Sequence, residues 1–237
     1  MSSKAVATAK SDQLPAFLAD KMTDTRGSEE IGTNDLTIPR IELVQSLSAC
    51  RKKNDPAYIP GIEEGMLYNN VTREMYGESV DVVPVYFRKE YLLWRDQDLG
   101  GGFGGSHQSM AEAEQARLAQ EKPEEWEVVD TAQQFVLVVK EDGSAEEAVM
   151  SMAKSKAKVS RNWNSLIRIN GGPRFSRVYR LSGVSDQNPA GQDYFNLAVS
   201  NVGFVTEEVF SQAEHIYDLI KSGQASADSS FDGVDTM

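Results

Sequence analysis

The chain has 237 residues, with 24 Lys and Arg against 36 Asp and Glu, for a formal charge of −12. Its 40% apolar and 25% charged residues suit one globular domain, or two small ones, with an ordinary core. The single cysteine, Cys50, excludes an intrachain disulfide or thiolate cluster, the distant His107 and His215 leave little for an imidazole metal site, and no apolar run reaches the ~20 residues that span a bilayer.

Residues 1–36 are rich in Ser, Thr, Asp, Ala and Gly around one short apolar piece, LPAFL at 14–18, and read as a disordered arm. Order is expected from residue 37. Residues 38–44 (IPRIELV) form a strand whose Pro39 suits an edge or first position. RKKNDPA at 51–57 is turn-prone, GMLYN at 65–69 is a short strand, and 80–94 (VDVVPVYFRKEYLLW) is a long β-rich run, bent or bulged near Pro84.

The stretch GGGFGG at 100–105 formally contains GxGxxG through Gly100, Gly102 and Gly105. Four residues, Asp96 to Leu99, separate it from the preceding strand, no βαβ rhythm follows, and no Lys-Ser/Thr completes a phosphate loop. A mobile loop with Phe103 at its tip is therefore expected, with no cofactor. Residues 110–122 (MAEAEQARLAQEK) predict an acidic peripheral helix stopped by Pro123. FVLVV at 135–139 is a firm strand, EDGS at 141–144 a turn, and EAVMSM at 147–152 a returning strand. Residues 174–184 and 193–205 alternate like a hairpin joined by DQNPAG, and 206–221 form a helix capped by Thr206, with Glu207 and Glu208 in its first turn.

Net charge conceals a segregation. No acid occurs from Ala148 to Ser185, where eight cations fall: Lys154, Lys156, Lys158, Arg161, Arg168, Arg174, Arg177 and Arg180. The rest of the chain has 16 cations against 36 acids, a balance of −20. Segregation of this kind marks a polyanion-binding surface, although a solvated face that balances acidic neighbours is the plainer explanation. On a helix at 100° per residue, Lys154, Lys158, Arg161, Ser165 and Arg168 fall within about 80°, and Val159, Trp163, Leu166 and Ile167 lie opposite. A helix tuned only for solubility would mix Glu with Lys at i, i+4. Trp163 reads as core.

Downstream, period-2 alternation puts Phe175, Arg177 and Tyr179 on one strand face and Arg180 on the other, with Tyr194 on the partner strand. Rings among guanidinium groups suit bases that stack while phosphates are held, at about 1–3 kcal/mol per stacked base. Each ring alone is as readily a core aromatic. Arg88, Lys89 and Tyr91 form a second aromatic-basic mix, diluted by Glu90, in which Phe87, Lys89 and Tyr91 share one face. The terminus DSSFDGVDTM is acidic with embedded apolar residues, and an inert solubilising end explains it equally.

These features suggest an α+β chain, mainly β with a few helices. The stretches KSKAKVSRNWNSLIRINGGPRFSRVYRL and DYFNLAVSNVGFV, with the earlier IPRIELVQSLS, GMLYN, VVPVYFRKEYLLWR and GGGFGG, resemble phage-encoded single-stranded-DNA-binding proteins of the OB-fold type over about residues 36–206. The resemblance implies a five-stranded Greek-key barrel over 37–222, with an inserted acidic helix and a C-terminal helix. It further implies a non-enzymatic protein in the host cytoplasm that coats exposed single strands in phage DNA replication or recombination, with RNA as an alternative ligand and homo-oligomers on DNA. The nominated surface is Arg88, Lys89, Tyr91, Lys154, Lys158, Arg161, Arg168, Arg174, Phe175, Arg177, Tyr179, Arg180 and Tyr194. Asp228, Phe231, Asp232, Val234 and Asp235 of a flexible tail, 223–237, would meet replication or recombination proteins. A nuclease or recombination enzyme would need clustered carboxylates, and Asp81, Asp96, Asp98 and Asp130 lack ligand-like spacing. The other alternative is a structural or interaction protein of a virion or nucleoprotein assembly, its basic face docked on an acidic partner. Neither metal nor membrane is expected.

Overall fold

One long strand organises the molecule. In the computed structural model, which describes residues 38–222, β4 (Ser79–Arg95) is the spine of a six-stranded antiparallel sheet. Its neighbours are β6 (Trp126–Val139) on one edge and β8 (Arg177–Gln187) on the other, with β7 (Ala145–Met152) and β9 (Asp193–Phe204) outermost. The β8 edge of β4 is paired only over Ser79–Val82, and β5 (Phe103–His107) takes the same edge at Tyr91–Trp94. A smaller sheet joins β1 (Ile41–Leu43), β2 (Leu67–Asn69) and β3 (Met75–Gly77). The class is therefore α+β, mostly β, but the described strands form open sheets and do not close into a barrel. The strand at 135–139 is the end of a longer one, because β6 pairs with β4 along nearly its whole length.

The expected irregularity at Pro84 is a register shift between Pro84 and Tyr86, where a residue without an N–H interrupts the β4–β6 ladder. Alternation sorts the apolar residues onto both faces of the sheet. Val80, Val82, Val136, Val138, Met150, Tyr179 and Leu181 lie on one face under α2 (Lys156–Asn170) and the small sheet. Val83, Val85, Phe135, Leu137 and Val149 lie on the other, under α3 (Glu207–Lys221). A sheet covered on both sides explains why FVLVV reads as an unbroken apolar run.

The helices follow their signals. Thr206 caps α3, its Oγ1 accepting from Val209 N at 3.4 Å, and Val209, Ala213, Ile216 and Ile220 recur at helical spacing on the buried side. The acidic helix is α1 (Met110–Leu118), with the N-cap Ser109 accepting from Glu112 N and Glu112 reaching back to accept from Gln108 N. The glycine-rich segment departs from expectation. Half of it is β5, where Phe103 packs on Trp94 with ring centroids 4.8 Å apart. A Cβ on Gly104 would come within 2.8 Å of both Leu93 and Trp126, so glycine is there to let the backbone approach.

Edge strand β9 is clamped at one point. Gln45 donates from Nε2 to Phe195 O at 2.7 Å and accepts from Phe195 N at 3.0 Å, so its side-chain amide stands in for a neighbouring strand.

Candidate nucleic-acid interface

Helix α2 begins at Lys156, not Lys154. Lys154 lies in the preceding turn with φ 49°, a left-handed conformation that cannot continue a helix, and its Nζ is 3.4 Å from Glu127. From there the helix behaves as an amphipathic one should. Ser160, Trp163 and Ile167 are buried, with Trp163 edge-on to Tyr179 at 6.0 Å, and Gly171 ends it with φ 68°. Lys158, Arg161 and Arg168 stand exposed, and none makes an ion pair with a described residue.

The two flanks of α2 differ. Toward β9, Val159, Asn162, Ser165, Leu166 and Ile169 face Leu197, Ala198 and Val199 across an open groove of about 430 Å³. Lys158 belongs to this side, close enough to Asp186 to help hold its carboxyl below the usual range. The larger causes of that shift are hydrogen bonds from Asn196 Nδ2 at 3.1 Å and Tyr194 Oη at 2.8 Å. Tyr194 is thus tied to an acid instead of free to stack.

The opposite flank meets β4 and β6. Arg174 occupies a short 3-10 turn, Arg174–Ser176, packed against β4. Its Nη2 donates to Gln134 Oε1 and to Asn164 Oδ1, the latter at 2.9 Å, and its guanidinium lies over the Phe87 ring at 5.7 Å. Gln134 in turn donates to Ser160 Oγ at 2.9 Å. Burial pushes the Arg174 guanidinium down to about 10. Further along β4, Lys89 lies 5.2 Å over the Tyr91 ring and 2.8 Å from Asp130, which holds its ammonium above the ordinary value. Phe87, Lys89 and Tyr91 do share one face, as alternation predicts, and Arg174 links that face to α2.

Other nominated residues are elsewhere. Arg88 is on the α3 face, 5.4 Å over Phe135 and 3.8 Å from Glu90. Phe175 is not on a strand: it is buried in the 3-10 turn and packs on Phe210 and Tyr217 beneath α3. Tyr179 is fully buried, its hydroxyl accepting from Asn170 Nδ2 at 3.0 Å. Arg180 is exposed but held by Asp81 through two bonds of 2.7 and 2.8 Å. Arg177 places its guanidinium 4.1 Å over the ring of Phe204. The five tail positions from Asp228 to Asp235 lie outside the described residues.

Sequence reasoning missed Asn164, Gln134 and Phe204. The first two carried a signal, a polar residue beside Trp163 and another abutting FVLVV, since a buried amide in an apolar setting needs a partner. Phe204, 74% exposed on the edge strand, carried none.

Among the described residues, no three His, Cys, Asp or Glu side chains gather as a cation site, and no helix is long and apolar enough to cross a membrane. Fold and surface together describe an α+β protein whose helix α2 exposes Lys158, Arg161 and Arg168. A family model described as Pam3 phage gp34-like protein matches residues 7–226, and the chain belongs to that family. No curated protein and no solved structure matches it.

Proposed function

We propose that this phage-family protein binds single-stranded DNA without catalysing a reaction, coating exposed strands during phage replication or recombination. The supporting observation is the run of exposed cations on α2, Lys158, Arg161 and Arg168, without an ion pair among the described residues, beside the Arg174–Phe87 and Lys89–Tyr91 pairs on β4. Guanidinium and ammonium groups take the phosphates, and the half-buried rings of Phe87 and Tyr91 offer faces to bases. Every base has such a face, so binding is tolerant of sequence. The acid-rich remainder repels the strand and confines it to one side.

Fluorescence anisotropy with labelled oligo-dT tests this, run from low to high salt and against oligo-U and duplex DNA. Length-dependent binding to oligo-dT that weakens steeply with salt, with weak duplex binding, is expected. Absence of binding at low salt overturns it. A second reading, a virion or assembly protein whose basic face docks an acidic partner, gains support from Leu166 and Ile169, exposed at the β9 groove, the latter by 81%. Apolar side chains there serve a protein partner better than a phosphate backbone.

A further inference from the structure

Most partly buried arginines of this chain have a carboxylate. Arg95 pairs with Glu125 at 2.6 Å, Arg117 with Glu114 at 2.9 Å and Arg51 with Glu64 at 2.5 Å. Arg174 does not. Among the described residues its partners are two neutral amides and a ring, its Nε is buried without an acceptor, and no acceptor meets its Nη1. A guanidinium has five donors, and burying one with so few met and no counter-charge is costly. In a chain with twelve more acids than cations, a missing counter-ion at a well-braced site is informative. The bracing is thorough: Asn164 comes from α2, Gln134 from β6 and Phe87 from β4, and Ser160 holds Gln134. Arg161 and Arg168 precede and follow Asn164 by three and four residues, so they rise from the same flank one turn to either side, also without an ion pair to a described residue.

A strap between helix and sheet would need only hydrogen bonds, which a neutral side chain supplies without the cost of burying charge. The arrangement here retains the charge and leaves Nε and Nη1 without an acceptor among the described residues.

We propose that Arg174, flanked by Arg161 and Arg168, is a seat for one phosphate oxyanion, from either a phosphodiester or free inorganic phosphate. The phosphodiester source rests on the nucleic-acid function proposed above; the free-phosphate source stands without it. The oxyanion supplies the counter-charge that the fold omits, and charge-assisted bonds to guanidinium are the strong kind.

The test follows the Arg174 Nε–H resonance and the melting temperature of the full chain as sodium phosphate replaces sodium chloride at constant ionic strength. Saturable movement of that resonance and a rise in Tm are expected with phosphate alone. Arg174→Lys, which lacks that resonance and is read by Tm alone, should need at least about tenfold more phosphate for the same rise, since a point charge replaces a fixed fork. Asn164→Asp, which gives Arg174 an internal carboxylate and preserves shape, should abolish the response while leaving the protein folded. A wild-type response equal to that of chloride, or one that survives in both variants, overturns the seat. Oligo-dT added to the same samples separates the sources. Phosphate binding without oligo-dT binding leaves the seat and removes the nucleic-acid function; oligo-dT binding that Arg174→Lys leaves unchanged, with no phosphate response, does the reverse.

Discussion

Arg174 Nη2 and Asn164 Oδ1 are 2.9 Å apart, so a 3-10 turn just before β8 is fastened to the middle of the cationic helix. The bond joins the elements that bound the candidate interface. Asn164→Ala should destabilise the protein by about 1–2 kcal/mol, because the mostly buried guanidinium loses one of its two acceptors. Asn164→Asp should match or exceed wild type, since it supplies an opposite charge. Urea unfolding at pH 7 distinguishes them; equal losses from both would mean that the site needs the amide's shape and not its acceptor.

Arg161 and Arg168 are exposed and make no ion pair with a described residue, so reversing both to Glu changes charge without removing packing. Stability should stay within about 0.5 kcal/mol of wild type. Oligo-dT affinity should fall for all sequences alike, and the slope of log K against log salt should flatten by about 1.4, at ~0.7 per lost single-strand phosphate contact. An unchanged slope would place the strand elsewhere.

How far these residues were legible depended on what each signal reports. The span of β4 and the cap of α3 came through because β-branched runs and a Thr before two Glu are local features. Strand β5 did not, since glycine has low strand propensity and its place is set by the room that Leu93, Trp94 and Trp126 leave. Alternation placed Phe87, Lys89 and Tyr91 together but could not show that Tyr179 faces a covered side, because a sheet buried on both faces has no wet one. The Arg180–Asp81 pair joins residues 99 apart, so the apparent freedom of Arg180 was invisible to local charge counting. Phe175 was misplaced because the turn after Pro173 delays β8 to Arg177.

Gln45 substitutes for a strand at the edge of the large sheet, meeting both backbone groups of Phe195. Gln45→Ala leaves that N–H and C=O without partners at a partly buried edge. A loss of about 1–2 kcal/mol is expected, or about 2–8 °C in Tm for a chain of this size. Light scattering at raised concentration should also increase, because an unclamped edge can pair with another chain. An unchanged Tm would show that water serves Phe195 equally well.

Asp186 gives a pH-dependent prediction whose sign is set by its bonds. Asn196 Nδ2, Tyr194 Oη and the Gln187 N–H all donate to its carboxylate, and Lys158 adds an attractive charge, so its folded pKa lies below the ordinary value. A carboxyl depressed in the folded state contributes stability that is fully present above its unfolded pKa, near 4, and lost as pH falls through the folded pKa. Asp186→Asn should therefore melt below wild type at pH 7, and the two curves should converge as the pH falls below the ordinary carboxylate range and the wild-type carboxyl takes up its proton. The same change removes a negative charge that acts on Lys158, so oligo-dT affinity at pH 7 should rise. A melting difference that stays constant as the pH is lowered would trace the loss to shape, and unchanged affinity would take Lys158 out of the binding surface.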